Sequence, residues 1–295
     1  MSATSSKTTK AVPAVRGSVD KLMREGIQYA IRAERAAGEA AVAGFQQLAE
    51  ETAVAISYNG VNHAVMMATP EDLEDYAIGF SVANGIVQDL HQILDIQLQR
   101  ACDTVRLEVR LNQRAHHELR LARRALAGSS GCGLCGVQAL SQALAPLPRF
   151  QPESGNAPPP PSAHLRGLRE RFRKAQKHGR RSGAMHAAIY VDSDGETLLC
   201  REDIGRHNAM DKLLGACLRR GLAPRSGFVA ITSRCSLELI QKAARAGVGT
   251  LVSLSSPTDM SVRWAREYHL NLLHQPAQGP ARLYSPLAQS GKEPG

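Results

Sequence analysis

Two cysteines, Cys132 and Cys135, stand two residues apart in the stretch SSGCGLCGVQ. Thiols at this spacing hold a metal ion together with further ligands, cycle through a disulfide, or carry sulfur as a persulfide. A helix that begins near Leu134 would place its positive end beside both thiols and lower their pKa from about 8.5. The stretch therefore predicts thiolate chemistry and leaves its use open.

Metal-binding and redox uses of this CxxC each meet an objection. A structural zinc site needs four ligands, and only scattered single cysteines and histidines could complete this one. A zinc deaminase is suggested by His116-His117-Glu118, but the thirteen residues that follow read as one helix and a turn, and Gly131 replaces the expected proline. A thioredoxin motif follows a strand, whereas this one follows a predicted helix. Sulfur handling is the interpretation least affected by these objections.

A second group of candidate residues follows the strand-like run ETLLCRED, where the sequence passes into a helix. Arg206 and His207 would lie beside the positive end of that helix and favour a phosphate or carboxylate, with Asn208 at the same turn. A similar turn in ITSRCSLE places Ser233 and Arg234 before another helix. Both turns are predicted to bind an oxyanion.

Both turns also have a purely structural interpretation. Asn208 and Ser236 are good helix caps, and Cys235 suits a small apolar position in the core. Arg206 beside the acid pair Glu202-Asp203 is compatible with an ordinary ion pair. Spacing alone does not decide between function and structure at either turn.

The elements around the CxxC are predicted from periodicity and turn residues. TAVAISYNGVNHAVMMAT is two strands joined by Asn59-Gly60, a pair typical of tight hairpins. Thr69 is predicted to cap a helix that ends at Gly85, and ILDIQLQ with TVRLEVRL gives a second strand pair. HHELRLARRALAG is a helix leading into the CxxC, and a proline-rich linker runs from Pro148 to Pro161.

In the second half of the chain, strands alternate with helices. A basic helix from Leu165 to Arg181 comes first, and it is predicted to be a solvated face or a docking site for an acidic partner. The alternation predicts a sheet flanked by helices, with parallel strands joined by crossovers. Ligands of such sheets bind beyond the carboxyl ends of the strands, which are here the polar stretches REDIGRHN, TSRCS and SSPTD.

Composition excludes several classes of protein. The 295 residues are 43% hydrophobic and 21% charged, which is typical of a globular protein, and no apolar run reaches the roughly 20 residues of a membrane span. The N-terminus lacks the apolar core of a secretory signal, so we expect a cytoplasmic location and no membrane partner. The net charge of +9 indicates an anionic partner. With 4% aromatic residues and no helix-turn-helix or zinc-finger pattern, we expect no nucleic acid.

Taken together, the motifs resemble one known family, the formate dehydrogenase accessory sulfurtransferases called FdhD. The resemblance extends from about Val54 to Leu273. EDIGRHNAMDK is its most specific part, whereas CGLCG alone would be weak. The residues that show it are, in chain order, MATPEDLEDYAIGF, GCGLCG, GAMHAAIYV, EDIGRHNAMDKLLG and SLELIQKAARAGVGTLVSLSSPT.

The resemblance implies an α/β fold, an αβα sandwich resembling cytidine deaminase but without the deaminase metal. A smaller N-terminal α+β subdomain and a mobile CxxC loop accompany the sandwich. Residues 1–50 are expected to be a partly disordered extension, with helix between Ser18 and Gln47. The other expected parts are the subdomain at 51–128, the CxxC loop, short helix and linker at 129–163, the sandwich at 164–275 and the C-terminal tail at 276–295.

The function implied by the resemblance is sulfur transfer. Members take sulfur as a persulfide from a cysteine desulfurase and pass it to the molybdenum cofactor in its bis(guanine dinucleotide) form. The cofactor is a bound substrate, the sulfurated cofactor serves formate dehydrogenase, and members look like homodimers. By position, Cys132 would hold the persulfide and Cys135 would assist.

The sequence departs from the family pattern at a few positions. Asn84 stands where a glutamate is usual, and Ser233 and Cys235 are unusual in their turn. The segment that would contact the cofactor by position lacks the arginines expected there, and it consists of Gln275, Pro276, Ala277, Gln278, Gly279 and Pro280. A cofactor-binding chaperone or regulatory module that moves no sulfur is therefore kept as an alternative, and a zinc enzyme as a less favoured one.

Overall fold

The computed structural model describes residues 28–33, 42–127, 147 and 157–286. It divides into two compact units, one ending at Leu48 and one beginning at Ala49. The described part of the first unit is an antiparallel strand pair, β1 (Gln28–Ala33) and β2 (Val42–Gln47). The helix predicted between Ser18 and Gln47 is wrong for the residues of β1 and β2. The preference of alanine for helix is small compared with the stabilisation that hydrogen bonds between paired strands provide.

Several predictions lie outside the described residues. These are the disorder of the first residues, the CxxC loop with its following helix, and most of the proline-rich linker. The boundaries predicted within the second unit also stay a prediction.

The second unit begins with a four-stranded sheet in the order β4-β3-β6-β5. The predicted hairpin is confirmed: Asn59 and Gly60 join its strands with φ angles of 48° and 79°. The predicted second strand pair is also confirmed, and its strand β6 runs parallel to β3. The strands are β3 (Thr52–Tyr58), β4 (Val61–Ala68), β5 (Ile93–Arg100) and β6 (Thr104–Leu111).

Two helices accompany this sheet, α1 (Leu73–Ala83) and α2 (Gln113–Ala127), with a single 3-10 turn at Leu90–Gln92 between them. Gly85 follows the end of α1 with φ 70°, as predicted. The prediction that Thr69 caps α1 is wrong. Asp72 holds the cap position, without a side-chain cap bond. The Thr69 hydroxyl is used elsewhere, since it accepts a hydrogen bond from the backbone nitrogen of Ile204 at 3.2 Å.

A six-stranded sheet in the order β12-β11-β10-β9-β7-β8 forms the centre of the unit. Strands β9, β10 and β11 are parallel, as the alternation predicted, whereas β7, β8 and β12 pair antiparallel with their neighbours. The strands are β7 (His186–Val191), β8 (Thr197–Asp203), β9 (Phe228–Ile231), β10 (Thr250–Ser253), β11 (Asn271–His274) and β12 (Arg282–Ser285).

The helices of this half are partly as predicted. The basic helix is wrong as one element: it is divided where Gly167 adopts φ 69° and again before Gly179. The three later helices are confirmed, although α6 begins two residues earlier than expected. The helices are α3 (Ser162–Leu165), α4 (Leu168–Ala175), α5 (Gly179–Ser182), α6 (Arg206–Arg219), α7 (Leu237–Arg245) and α8 (Asp259–Glu267).

The central sheet has helices on both faces. In β7, Ala188 and Tyr190 belong to the main hydrophobic cluster with α1, α6 and α7, whereas Ala187, Ile189 and Val191 pack against α3 and α4. The observed fold is therefore mixed α/β with an αβα arrangement around one sheet. The likeness to cytidine deaminase stays a prediction.

Helices α1 and α6 cross in direct backbone contact. A Cβ atom on Gly79 would lie 1.7 Å from the carbonyl oxygen of Asp211, and one on Gly215 would lie 1.9 Å from that of Asp75. Only glycine allows this approach. The crossing fixes the N-terminal turn of α6, where the candidate site lies, relative to the first sheet.

Candidate functional site

Polar residues meet at one edge of the six-stranded sheet, which we call the polar edge. His186 at the start of β7 is paired with Asp203 at the end of β8, and Ala188 is paired with Ile231 at the end of β9. The parallel strands β9, β10 and β11 therefore end at this same edge. Because α6 and α7 both begin here, the two turns singled out in the sequence share one edge of the sheet.

A buried ion pair supports the polar edge. Lys212 and Asp203 are fully buried, with Nζ and Oδ2 2.7 Å apart. Lys212 also donates to the carbonyl of Thr69 at 2.8 Å, and Asp203 accepts from the backbone of Thr69 at 3.0 Å and of Gly205 at 2.8 Å. These bonds join the loop before α1 to the turn before α6, so Asp203 and Lys212 serve the scaffold.

Asn208 belongs to the same network. Its amide nitrogen donates to the carbonyl of Met67 at 2.9 Å and to Asp203 at 3.0 Å, and its oxygen accepts from the hydroxyl of Tyr76 at 3.1 Å. The residue is 3% exposed. Asn208 therefore lies at the predicted site but holds the turn rather than capping the helix, since Gly205 takes the cap position.

Two further acids of this motif have protein partners. Glu202 accepts hydrogen bonds from the backbone nitrogens of Lys177, His178 and Gly179, which places the turn before α5. Asp211 receives two bonds from Lys242 of α7, at 2.8 and 2.9 Å. The motif thus ties α5, α6 and α7 together.

Arg206 and His207 differ from these scaffold residues. Nε of Arg206, Nδ1 of His207 and the hydroxyl of Ser236 are all buried, and none has a hydrogen-bond partner among the described residues. Ser236 holds the cap position of α7 but makes no side-chain cap bond. These atoms lie at the N-termini of two helices whose dipoles favour negative charge. Such an arrangement can bind an oxyanion, most simply a phosphate.

Burial disfavours the protonated form of two histidines at the polar edge. Burial lowers the pKa of His207 below 6.5, the negative charge of Glu238 opposes this, and the positive charge of Arg206 adds to it. Nε2 of His207 lies 2.9 Å from Glu238 Oε2. Burial also lowers the pKa of His186, again with Arg206 contributing. A bound anion would reverse this effect and favour the protonated rings.

The second predicted turn contributes less. Ser233 is 7% exposed, and its hydroxyl donates to the carbonyl of Arg234 at 3.1 Å. Arg234 itself is exposed. Cys235 is fully buried within the main hydrophobic cluster, as expected for a small apolar core residue.

The predicted cofactor-contacting segment, Gln275–Pro280, forms the turn between β11 and β12. The Gln275 side chain donates to the carbonyls of Pro276 at 3.3 Å and Gly279 at 3.4 Å. Arg282, just after the segment, is exposed and paired in register with His274. An arginine thus borders the segment, although none lies within it.

Sequence reasoning missed His186 and His274 at this edge. Burial lowers the pKa of His274, with Arg282 and Arg169 adding to the decrease, and its Nδ1 has no partner in the part of the chain that the structure describes. Neither residue has a local signal, since each is a single histidine at the end of an apolar strand. Only the strand order shows that both lie at the polar edge.

Cys132 and Cys135 lie outside the described residues, so the structure does not locate them. Three of the four described cysteines are poor nucleophiles, because burial raises the pKa of Cys200, Cys217 and Cys235 to about 12, whereas Cys102 is exposed. Within the described ranges, no three His, Cys, Asp or Glu side chains are grouped so that they could hold a metal ion. No described helix is long and apolar enough to cross a membrane.

The fold and the polar edge define a mixed α/β protein in which buried polar atoms without partners among the described residues lie at the N-termini of two helices. The chain belongs to the FdhD/NarQ family, whose sequence pattern matches residues 49–289. The resemblance noted in the sequence is thereby confirmed.

Two relatives and one solved structure describe this family further. A Bordetella petrii protein named sulfur carrier protein FdhD is 42% identical over 239 residues, which is 81% of this chain and 84% of the relative. A Cupriavidus necator protein of the same name is 41% identical over 228 residues, 77% of each chain. The crystal structure of a Desulfotalea psychrophila protein, provisionally assigned as a formate dehydrogenase accessory protein, superposes with a TM-score of 0.64. It covers 87% of this chain and 95% of that one at 21% identity, and so supports the fold.

Proposed function

We propose that this chain is a sulfur carrier that serves the maturation of formate dehydrogenase. The observation that carries the proposal is family membership over residues 49–289, together with relatives that are named sulfur carrier proteins. Cys132 and Cys135 supply the reactive pair in the sequence. The raised pKa values of Cys200, Cys217 and Cys235 leave those thiols unsuited to the same role.

In this proposal the sulfur comes from the persulfide of a cysteine desulfurase. The Cys132 thiolate attacks the outer sulfur of that persulfide, the bond between the two donor sulfurs breaks, and the donor leaves as a thiolate. Cys132 then holds the persulfide. Attack by the Cys135 thiolate on the Cys132 sulfur releases hydrosulfide, so the outer sulfur gains two electrons as the two cysteines form a disulfide. A thiol reductant restores the pair.

The proposed acceptor is the molybdenum cofactor in its bis(guanine dinucleotide) form, bound as a substrate. Its phosphates match the chemistry of the polar edge, where Arg206, His207 and Ser236 have buried polar atoms without partners in the described part of the chain, at the N-termini of α6 and α7. The segment Gln275–Pro280 at the same edge would contact another part of the cofactor. A homodimer in the cytoplasm and delivery to formate dehydrogenase belong to the same proposal.

The test is sulfur loading measured by mass spectrometry. Incubation with a cysteine desulfurase and cysteine should add the mass of one sulfur atom to Cys132. Cys132→Ala should gain no sulfur and should give no formate dehydrogenase activity in a complementation assay. Cys135→Ala should still gain one sulfur atom on Cys132. Cys102→Ala, which changes an exposed cysteine, is the matched control. Full complementation by Cys132→Ala would instead support a cofactor-binding chaperone that moves no sulfur.

A further inference from the structure

A pocket of about 230 Å³ lies between α2 and the turn end of the β3–β4 hairpin. It is separate from the residues of the polar edge. Its lining consists of Tyr58, Val61, His116, Leu119, Arg120 and Arg123.

The α2 side of the pocket is one continuous face of the helix. His116, Leu119, Arg120 and Arg123 are spaced by three, four and seven residues, which places them along one stripe. Leu119 and the fully buried Tyr58 provide an apolar floor, and Val61 is 47% exposed beside it. A dry apolar cavity of about 150 Å³ accepts a benzene ring, so this pocket has room for one large apolar side chain.

The rim of the pocket is positively charged. Arg123 donates to the carbonyl of Asn62, which holds it at the hairpin. Arg120 is exposed and has no ion pair with any residue that the structure describes. The acid nearest in sequence, Glu118, is paired instead with Arg114 at 3.0 Å. An occupant that fits this rim has negative charge next to its apolar group.

The pocket is also close to the CxxC along the chain. Ala127, the last residue of α2, precedes Cys132 by five residues, and an extended chain of that length spans at most about 18 Å. Four helical residues from Arg123 to Ala127 add about 6 Å. A protein held at this pocket is therefore within about 24 Å, along the backbone, of the thiol that would accept sulfur.

We propose that this pocket docks the protein that donates sulfur to Cys132, by binding an acidic segment of that protein that inserts one large apolar side chain. The inference rests on the proposed function and adds a docking site to it. In that function the acceptor is a small cofactor bound at the polar edge, so the protein partner of the CxxC is the donor. The cations of α2 orient the acidic segment and the apolar floor holds its side chain.

The test measures binding of the full chain to a purified cysteine desulfurase by biolayer interferometry. Arg120→Glu reverses the charge of the rim and should weaken binding at least about tenfold. Val61→Glu places an acid beside the apolar floor and should weaken binding by a similar factor. Arg114→Glu is the matched control, because Arg114 lies on the same helix outside the pocket with 79% of its side chain exposed.

The outcomes separate this inference from the proposed function. If the unmodified chain binds the desulfurase and gains sulfur on Cys132, but both pocket variants bind within twofold of it, the docking site is wrong and the sulfur carrier stands. If the unmodified chain neither binds the desulfurase nor gains sulfur, both are wrong. Thermal unfolding shows whether each variant is folded. If Arg120→Glu does not fold, binding by Val61→Glu decides whether the pocket is the docking site.

Discussion

At the scale of single residues, the motif EDIGRHNAMDK contains two kinds of side chain. Asp203, Asn208 and Lys212 are buried and form a closed set of hydrogen bonds with protein partners. Arg206 and His207 each keep a buried nitrogen without a partner in the described part of the chain. The motif is therefore mostly scaffold, and two of its side chains keep polar atoms that the described residues leave unsatisfied.

The buried pair gives a prediction about stability. Lys212→Ala leaves the Asp203 carboxylate buried without its partner, so we expect the free energy of unfolding to fall by about 3–5 kcal/mol. Urea unfolding measures the change. In the control Arg263→Ala, the lost pair with Asp259 is exposed and should cost less than about 1 kcal/mol. Equal stability of the two variants would show that Lys212 is not structurally required.

His207 gives a prediction about pH. Its pKa is lowered in the free protein, chiefly by burial, and a bound phosphate would raise it. Binding then takes up a proton, so affinity should increase as the pH falls below the pKa of His207 in the complex, and level off below its lowered pKa in the free protein. Guanosine diphosphate, which has the guanine and phosphates of the proposed cofactor, is the probe for calorimetry between about pH 5 and pH 8.

The nearby titratable and charged groups define the control for this experiment. Four charged or titratable groups act on the pKa of His207: Glu238 raises it, and Arg206, Lys242 and His186 lower it. His207→Gln should therefore flatten the pH dependence, and Glu238→Gln should preserve it with a shifted midpoint. An unchanged pH profile in His207→Gln would contradict the assignment of His207 to the anion site.

At the scale of elements, the crossing of α1 and α6 at glycines determines where the polar edge begins. Gly215→Ala forces a Cβ atom into the backbone of α1, since that atom would lie 1.9 Å from the Asp75 carbonyl oxygen. We expect a loss of about 1–3 kcal/mol in unfolding free energy, and weaker guanosine diphosphate binding because the start of α6 moves. Arg220→Ala, at the exposed C-terminal cap of α6, should change neither measurement. An unchanged free energy of unfolding in Gly215→Ala would show that α1 and α6 can move apart at little cost in stability.

At the scale of the whole molecule, one segment of the chain is strongly basic. Residues 164–182 contain eight Lys or Arg residues and one Glu, in a chain with net charge +9. Arg169 in this segment donates to the carbonyl of Leu254 at 2.7 Å, just after β10, so the segment reaches the polar edge. If the proposed cofactor binds at that edge, this charge would favour the approach of its phosphates.

This distribution predicts a salt dependence. Raising NaCl from about 0.1 M to about 1 M shortens the Debye length from about 10 Å to about 3 Å, so guanosine diphosphate should bind roughly tenfold more weakly. The double variant Arg166→Ala and Lys174→Ala should show a smaller salt effect, whereas Arg220→Ala with Arg263→Ala should behave like the unmodified chain. The same salt effect in all three proteins would mean that the basic segment takes no part in guanosine diphosphate binding.

The sequence by itself determined the features that depend on neighbouring residues. Asn59-Gly60 predicted the hairpin because both positions need positive φ, and the spacing of apolar residues predicted α2, α6, α7 and α8. The CxxC and the family are likewise properties of the sequence. Local signals failed at Thr69, which looked like a cap but has a distant partner in Ile204. They also failed in the basic stretch, which looked like one helix but is divided at Gly167 and before Gly179.

Only the tertiary structure decided which polar residues of the motif are free to bind. Thr69 and Asp203 are bonded across 134 residues, and Asn208 and Met67 across 141, so no local pattern shows that these groups are occupied. The strand order brings His186 and His274 to the edge where α6 and α7 begin. The physical reason is that a polar group is available to a ligand only when folding leaves it without a partner, and its partners are chosen by contacts between distant parts of the chain.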